Sequence, residues 1–185
     1  MYEIANLIRK GRTESDGEDA ISLYKKAISS GHLGAMLKFG LYEYKSGLNQ
    51  KEHDGGISLI KRTADSGNRK AMRAYATIIE KEEDDKESEL MKYFKRAADK
   101  GDGYSMNKFG VKLLKHLRSL PKLEDKTEAA AYMKKASDQG FTESMLEYGM
   151  LLVEGDIGIP KNSKEGSKYI RCAAIAGSAD AMGRY

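Results

Sequence analysis

The chain of 185 residues carries a single cysteine, Cys172, so no intrachain disulfide can form, which fits a reducing compartment. Its 32 basic and 28 acidic residues leave a net charge of +4, too mild a surplus to point to a nucleic-acid binder. No stretch approaches the ~18 apolar residues of a membrane-spanning helix. The only prolines are Pro121 and Pro160, so long stretches are free to be helical.

One string, Gly-x-x-x-(Ala/Ser)-Met, recurs at Gly31…Ala35-Met36, Gly67…Ala71-Met72, Gly101…Ser105-Met106, Gly140…Ser144-Met145 and Gly177…Ala181-Met182. Successive glycines are 36, 34, 39 and 37 residues apart, a period that marks stacked helical repeats. It predicts one array over residues 1–185, with units at about 1–16 (partial), 17–52, 53–86, 87–124, 125–162 and 163–185 (partial).

In chain order, Met1–Ala5 matches Met36–Gly40 in phase, so the chain begins inside a second-helix slot. The first full unit then places Ala20, Leu23, Tyr24 and Ala27 at −11, −8, −7 and −4 from its glycine. The next three hold Gly56, Leu59, Ile60 and Thr63, then Leu90, Tyr93, Phe94 and Ala97, then Ala129, Tyr132, Met133 and Ala136. The last holds Gly166, Tyr169, Ile170 and Ala173. Those four positions share one face of a helix. The glycine is expected to end that helix in a left-handed conformation. A second helix follows at once: its small residue at +4 lets two helices cross closely, and Met at +5 fills the irregular gap beside them. At +8 stands a ring (Phe39, Tyr75, Phe109, Tyr148, Tyr185) and at +9 a tiny residue (Gly40, Ala76, Gly110, Gly149), a pairing that predicts interlocking of neighbouring repeats. Connections of unequal length (Gly47–Lys51, the acidic Lys81–Lys86, Leu117–Leu123, Gly155–Asn162) explain the uneven period and suit loops on one exposed edge. Met182–Tyr185 again stops inside a second-helix slot. With no polar capping unit at either end, the chain is expected to be a fragment of a longer array.

These residues resemble the Sel-1-like repeats, relatives of the tetratricopeptide repeats with slightly longer, less regular units. Ala129…Tyr132-Met133…Ala136-Ser137…Gly140, Ser144…Tyr148-Gly149 and Gly158-Ile159…Asn162 carry the likeness best, and Leu90…Tyr93-Phe94…Ala97-Ala98…Gly101 with Ser105…Phe109-Gly110 equally. The unit around Gly67 departs most, with Thr63 for the first alanine and Ala76 for the glycine. The strict 34-residue tetratricopeptide unit fits one spacing of the four. The expected fold is all-α: a right-handed superhelical solenoid of about five stacked helix-turn-helix repeats of 34–39 residues, first helices lining the concave side. The resemblance implies an adaptor or scaffold, in signalling among other settings, that binds a protein or peptide without making or breaking bonds. The competing reading is a regulatory or targeting segment of a larger enzyme, such as a kinase, whose catalytic domain lies outside the chain. A secreted, cysteine-paired branch of the family is linked to β-lactam hydrolysis; lone Cys172 argues against that branch.

Candidate chemistry is sparse. His32, His53 and His116 fall on different units with no metal-ligand spacing, Cys172 has no arguable partner, and no glycine string has the phosphate-cradling pattern. The run Glu82–Asp85 lacks the positional pattern of a calcium loop and reads as a solvated turn. The expectation is therefore no enzyme activity of its own and no cofactor or metal. One pattern points outward. A basic pair stands at −6 and −5 in four units, Lys25-Lys26, Lys61-Arg62, Lys95-Arg96 and Lys134-Lys135, with Arg171 in the last. Cations near helix C-termini also complement the macrodipole, but stacked repeats align such pairs into a basic strip suited to an acidic protein or peptide. Ser22, Ser58, Lys92, Ala131 and Lys168, all at −9, are the candidate groove lining. Neither nucleic acid nor a membrane span is expected, and with no secretory signal in residues 1–10 the expected location is cytoplasmic.

Overall fold

A computed structural model describes residues 20–46, 49–82, 86–117, 123–156 and 158–183, the side chains of residues 117 and 123–125 excepted. Its helices are α1 (Ala20–Ser29), α2 (Leu33–Ser46), α3 (Gln50–Asp65), α4 (Arg69–Lys81), α5 (Glu87–Asp99), α6 (Gly103–Leu117), α7 (Leu123–Asp138), α8 (Thr142–Glu154), α9 (Ser163–Ile175) and α10 (Ala179–Met182). Among the described residues the only extended pairing is an isolated antiparallel bridge between Asp156 and Ile159. The chain forms two compact units, Met1–Tyr93 and Phe94–Tyr185, the boundary falling inside α5. In the first, α1 packs on α2, α2 on α3 and α3 on α4. In the second, α6 packs on α7, α7 on α8, α8 on α9 and α9 on α10. Each is a stack of helix hairpins, as the repeat predicts.

The turn inside each hairpin is built the same way five times. Gly31, Gly67, Gly101, Gly140 and Gly177 have φ between 77° and 94°, a region other residues rarely adopt. At Gly67 the amide donates to the Ala64 carbonyl (3.0 Å) and the next amide, of Asn68, reaches back to Thr63 (3.3 Å). This double closure recurs at the other four glycines and satisfies carbonyls that a helix end leaves open. The residue after the glycine then caps the second helix. Asn68 Oδ1 accepts the amide of Ala71, Asp102 Oδ1 that of Ser105, Ser178 Oγ that of Ala181 and His32 Nδ1 that of Ala35. Phe141 is the exception and makes no such bond.

The core follows the repeat positions. Ala27, Thr63, Ala97, Ala136 and Ala173 at −4 and Ala35, Ala71, Ser105, Ser144 and Ala181 at +4 are buried. Met36, Met72 and Met106 fill gaps as expected, whereas Met182, in the four-residue α10, is 56% exposed. At +9 the packing reaches backbone contact. A Cβ on Gly149 would sit 2.9 Å from the Gly166 carbonyl and 2.8 Å from Ile170 Cγ1; one on Gly40 would sit 2.9 Å from the Gly56 carbonyl. The tiny +9 residue of one hairpin thus crosses the −11 residue of the next first helix. The rings at +8 meet the residue at −8 of that same helix: Tyr75–Tyr93, Phe109–Tyr132 and Tyr148–Tyr169 are edge-to-face pairs with centroids 4.8, 5.1 and 5.1 Å apart. This is the interlocking read from the sequence.

Three connections are shorter than the sequence suggests, one of them because Lys81 closes α4. Gln50 and Lys51 belong to α3, because Asn49 caps that helix by accepting the Glu52 amide at 3.0 Å. Leu117 closes α6 and Leu123 opens α7. The partial unit at 1–16, the acids Glu83–Asp85 and Tyr185 lie outside the described residues.

Candidate functional site

Two lysines at −6, Lys61 and Lys95, are held by groups of the next first helix. Lys61 Nζ, at −6 on α3, bonds Glu89 Oε1 of α5 at 2.8 Å and lies 5.4 Å from the centre of the Tyr75 ring. Beside it, the Tyr93 hydroxyl donates to Asp65 Oδ1 at 2.5 Å. The second unit repeats the arrangement with new residues. Lys95 Nζ bonds Glu128 Oε1 at 2.6 Å and Tyr132 Oη at 3.1 Å, and Tyr132 donates to Asp99. A lysine at −6 and an aspartate at −2 thus grip a glutamate at −12 and a tyrosine at −8 on the next first helix. At the α7–α9 junction the grip is altered: Lys134 turns to Asp138 on its own helix (3.1 Å), and Tyr169 donates to Asp138 at 3.2 Å. Gly55 and Leu59, which hold the glutamate and tyrosine positions on α3, cannot make it at all.

These contacts shift the groups that make them. The hydrogen bond that Lys61 donates to Glu89 raises its ammonium well above the ordinary lysine value, and the one donated to Glu128 does the same for Lys95. Burial first, and then the Asp65 carboxylate, push the Tyr93 phenol up to about 12. Burial and Asp99 raise Tyr132 likewise.

The remaining strip residues face outward. Lys26, Arg62 and Lys135 at −5 are exposed, as are Lys25, Lys134 and Arg171 at −6; Arg96 is half-buried. Of the −9 set, Ser58, Lys92, Ala131 and Lys168 are exposed and Ser22 is half-buried. Positions −9 and −5 lie one turn apart on one helix face. On that face stand Lys26, Arg62 and Lys92 in the first unit, and Arg96, Lys135 and Lys168 in the second. Sequence reasoning missed the grip, since its four members come from two units whose partners lie 28 to 37 residues apart. The recurrence of Lys, Asp, Tyr and Glu at fixed offsets was the available signal.

His32 is spent on capping, His116 is exposed on α6, and His53 lies against the Tyr44 ring with centroids 4.9 Å apart. Among the described residues no three His, Cys, Asp or Glu side chains gather in a metal-binding group. None of the described helices is long and apolar enough to cross a membrane.

Repeated hairpins sharing one turn, one cap position and one inter-repeat contact define an α-helical repeat protein. The Sel1 repeat model matches residues 1–32, 91–102, 110–141 and 142–178, and the chain belongs to the Sel1 repeat family. The unit around Gly67, the least regular, falls outside the matched segments. Among solved structures, one similar to this chain is a protective antigen with an SLR fold present in uropathogenic Escherichia coli strains, 19% identical with a TM-score of 0.75. The match covers 99% of this chain and 39% of that one, so the chain spans well under half of that relative's length. A Sel1 repeat protein from Oxalobacter formigenes is 20% identical with a TM-score of 0.71, over 99% of this chain and 74% of that one. No curated protein matches. Sel1 repeats serve in general as protein-interaction modules, typically without catalysis.

Proposed function

We propose that this chain is a non-catalytic scaffold that holds an acidic protein or peptide segment against the exposed face of its first helices. One observation carries the reading. The −6 lysines Lys61 and Lys95 are held by Glu89 and Glu128, while Arg62 at −5 and Lys92 at −9 stand exposed on the same helices. An exposed row of cations attracts carboxylates from a distance and costs little to desolvate, giving salt-sensitive binding and partner selection by charge. The serines and the alanine at −9 keep the face low between the cations, so an extended backbone can approach the helices.

The test is the affinity of an Asp/Glu-rich fluorescent peptide measured by anisotropy at low and high salt. Binding should weaken steeply with salt and fall at least tenfold in Arg62→Glu/Lys135→Glu, with the helical circular dichroism unchanged. Reversing Lys61 or Lys95 instead would damage the inter-repeat grip as well, so those variants serve as stability controls. Affinity indifferent both to salt and to the double reversal would refute the reading.

A further inference from the structure

The second unit carries a notch that the other first helices do not share in sequence. At −10 and −9 they present Ile21-Ser22, Ile57-Ser58, Met91-Lys92 and Ser167-Lys168, whereas α7 presents Ala130-Ala131. Two methyl groups on that face leave a hollow of about 240 Å³ between α7, the Tyr148–Leu152 edge of α8 and the Gly158–Pro160 turn. Ala130, Leu152 and Ile159 form its buried apolar floor. Thr127 and Lys134, one turn to either side of the alanines, stand at its rim.

The far wall is fixed before anything binds. Asp156 and Ile159 exchange backbone hydrogen bonds of 3.0 and 2.9 Å, and the Asn162 amide donates to the Leu152 carbonyl at 2.7 Å. Lys126 Nζ, only 14% exposed, pins Asp156 to α7 at 2.7 Å. A wall held this way loses little conformational freedom on binding. The hollow is smaller than the ~300–1,000 Å³ usual for small-molecule sites, and suits one large aliphatic side chain. Its surroundings are cationic. Lys134 lies at the rim, Lys135 follows it, Lys161 follows Pro160, and all three are exposed. The Lys134–Asp138 pair is half-exposed on both sides, so exchanging Asp138 for another carboxylate costs little. The one carboxylate on the turn, Asp156, is already matched by Lys126.

We propose that this notch is an anchor site for a leucine- or methionine-sized side chain of an acidic peptide, whose flanking carboxylates meet Lys134, Lys135 and Lys161. The proposal rests on the acidic-segment reading and adds the residue that sets position along the chain. Two Asp-flanked peptides identical except for a central leucine or alanine test it, by anisotropy and by ¹³C-methyl NMR of the protein. The leucine peptide should bind about tenfold more tightly and shift the methyl resonances of Ala130, Ala131 and Ile159. Ala131→Trp, at an exposed site that fills the mouth, should abolish the difference in affinity between the two peptides. Equal affinity of both peptides, still salt-dependent, would overturn the anchor and leave the cationic face standing. Absence of binding by either peptide at low salt would overturn both. Notch methyls that shift with protein concentration alone, alongside a rising sedimentation coefficient, would assign the hollow to a second copy of the chain and overturn the peptide anchor.

Discussion

At the residue scale, the position after four of the five repeat glycines does two jobs that a reader of consensus patterns would not give to one residue. Its amide closes the first helix and its side chain opens the second, and His32, Asn68, Asp102 and Ser178 share only the possession of an acceptor atom. Replacing Asn68 by alanine keeps the backbone closure and removes the cap, so the cost should be about 1 kcal/mol. Urea unfolding should record that loss for Asn68→Ala and nearly none for Asn68→Asp, which keeps the acceptor. Equal losses would mean the oxygen is not what matters there. The glycine beside it was legible from the sequence, since only a left-handed turn explains its recurrence between two amphipathic segments. The cap was not, because capping is satisfied by several side chains and leaves no single letter to repeat.

At the element scale, neighbouring hairpins are held by close backbone crossings, by three ring pairs and, at two junctions, by the full polar grip. The crossings are the least forgiving. A methyl group at Gly149 would press on a carbonyl and on the partly buried Ile170, neither of which can withdraw without moving α9. Gly149→Ala should destabilise by ~1–3 kcal/mol despite the better helix propensity of alanine. Gly183→Ala is the matched control, because its nearest neighbour lies 3.8 Å away and its φ of −70° suits any residue. Equal thermal shifts in the two variants would show that the crossing is looser than described. The small residue at +9 was visible in the sequence, but its partner at −11 was not. Gly56, Ala129 and Gly166 read only as positions on an apolar face, because nothing local tells which backbone crosses them.

At the scale of the whole molecule, the grip ties stability to alkaline pH. Folding raises both Lys61 and Lys95, and raises Tyr93 to about 12, so the folded chain holds protons that the unfolded chain gives up near pH ~10. The stabilisation is complete below that pH and is lost as the pH climbs through the folded values. Thermal melts should therefore decline from about pH 10 upward, and the decline should be shallower in Tyr93→Phe. Ultraviolet titration should show tyrosine ionising late in the native protein and at the ordinary value in urea. Native tyrosines that all ionise near pH 10 would contradict the burial of these phenols. Stability of repeats is a sum of units and nearest-neighbour contacts, and each of these lysines stands on such a contact.

The sequence by itself determined the helical hairpin, its turn and its buried face, because those depend on local backbone geometry and on a spacing written within some twenty consecutive residues. Only the tertiary structure decided that Lys61 and Lys95 are spent on Glu89 and Glu128. It alone also showed that Ala130 and Ala131 leave a hollow under Ile159. Those outcomes depend on groups about thirty residues apart meeting across a helix interface. Local periodicity assigns a side chain to a face but does not say what stands opposite it.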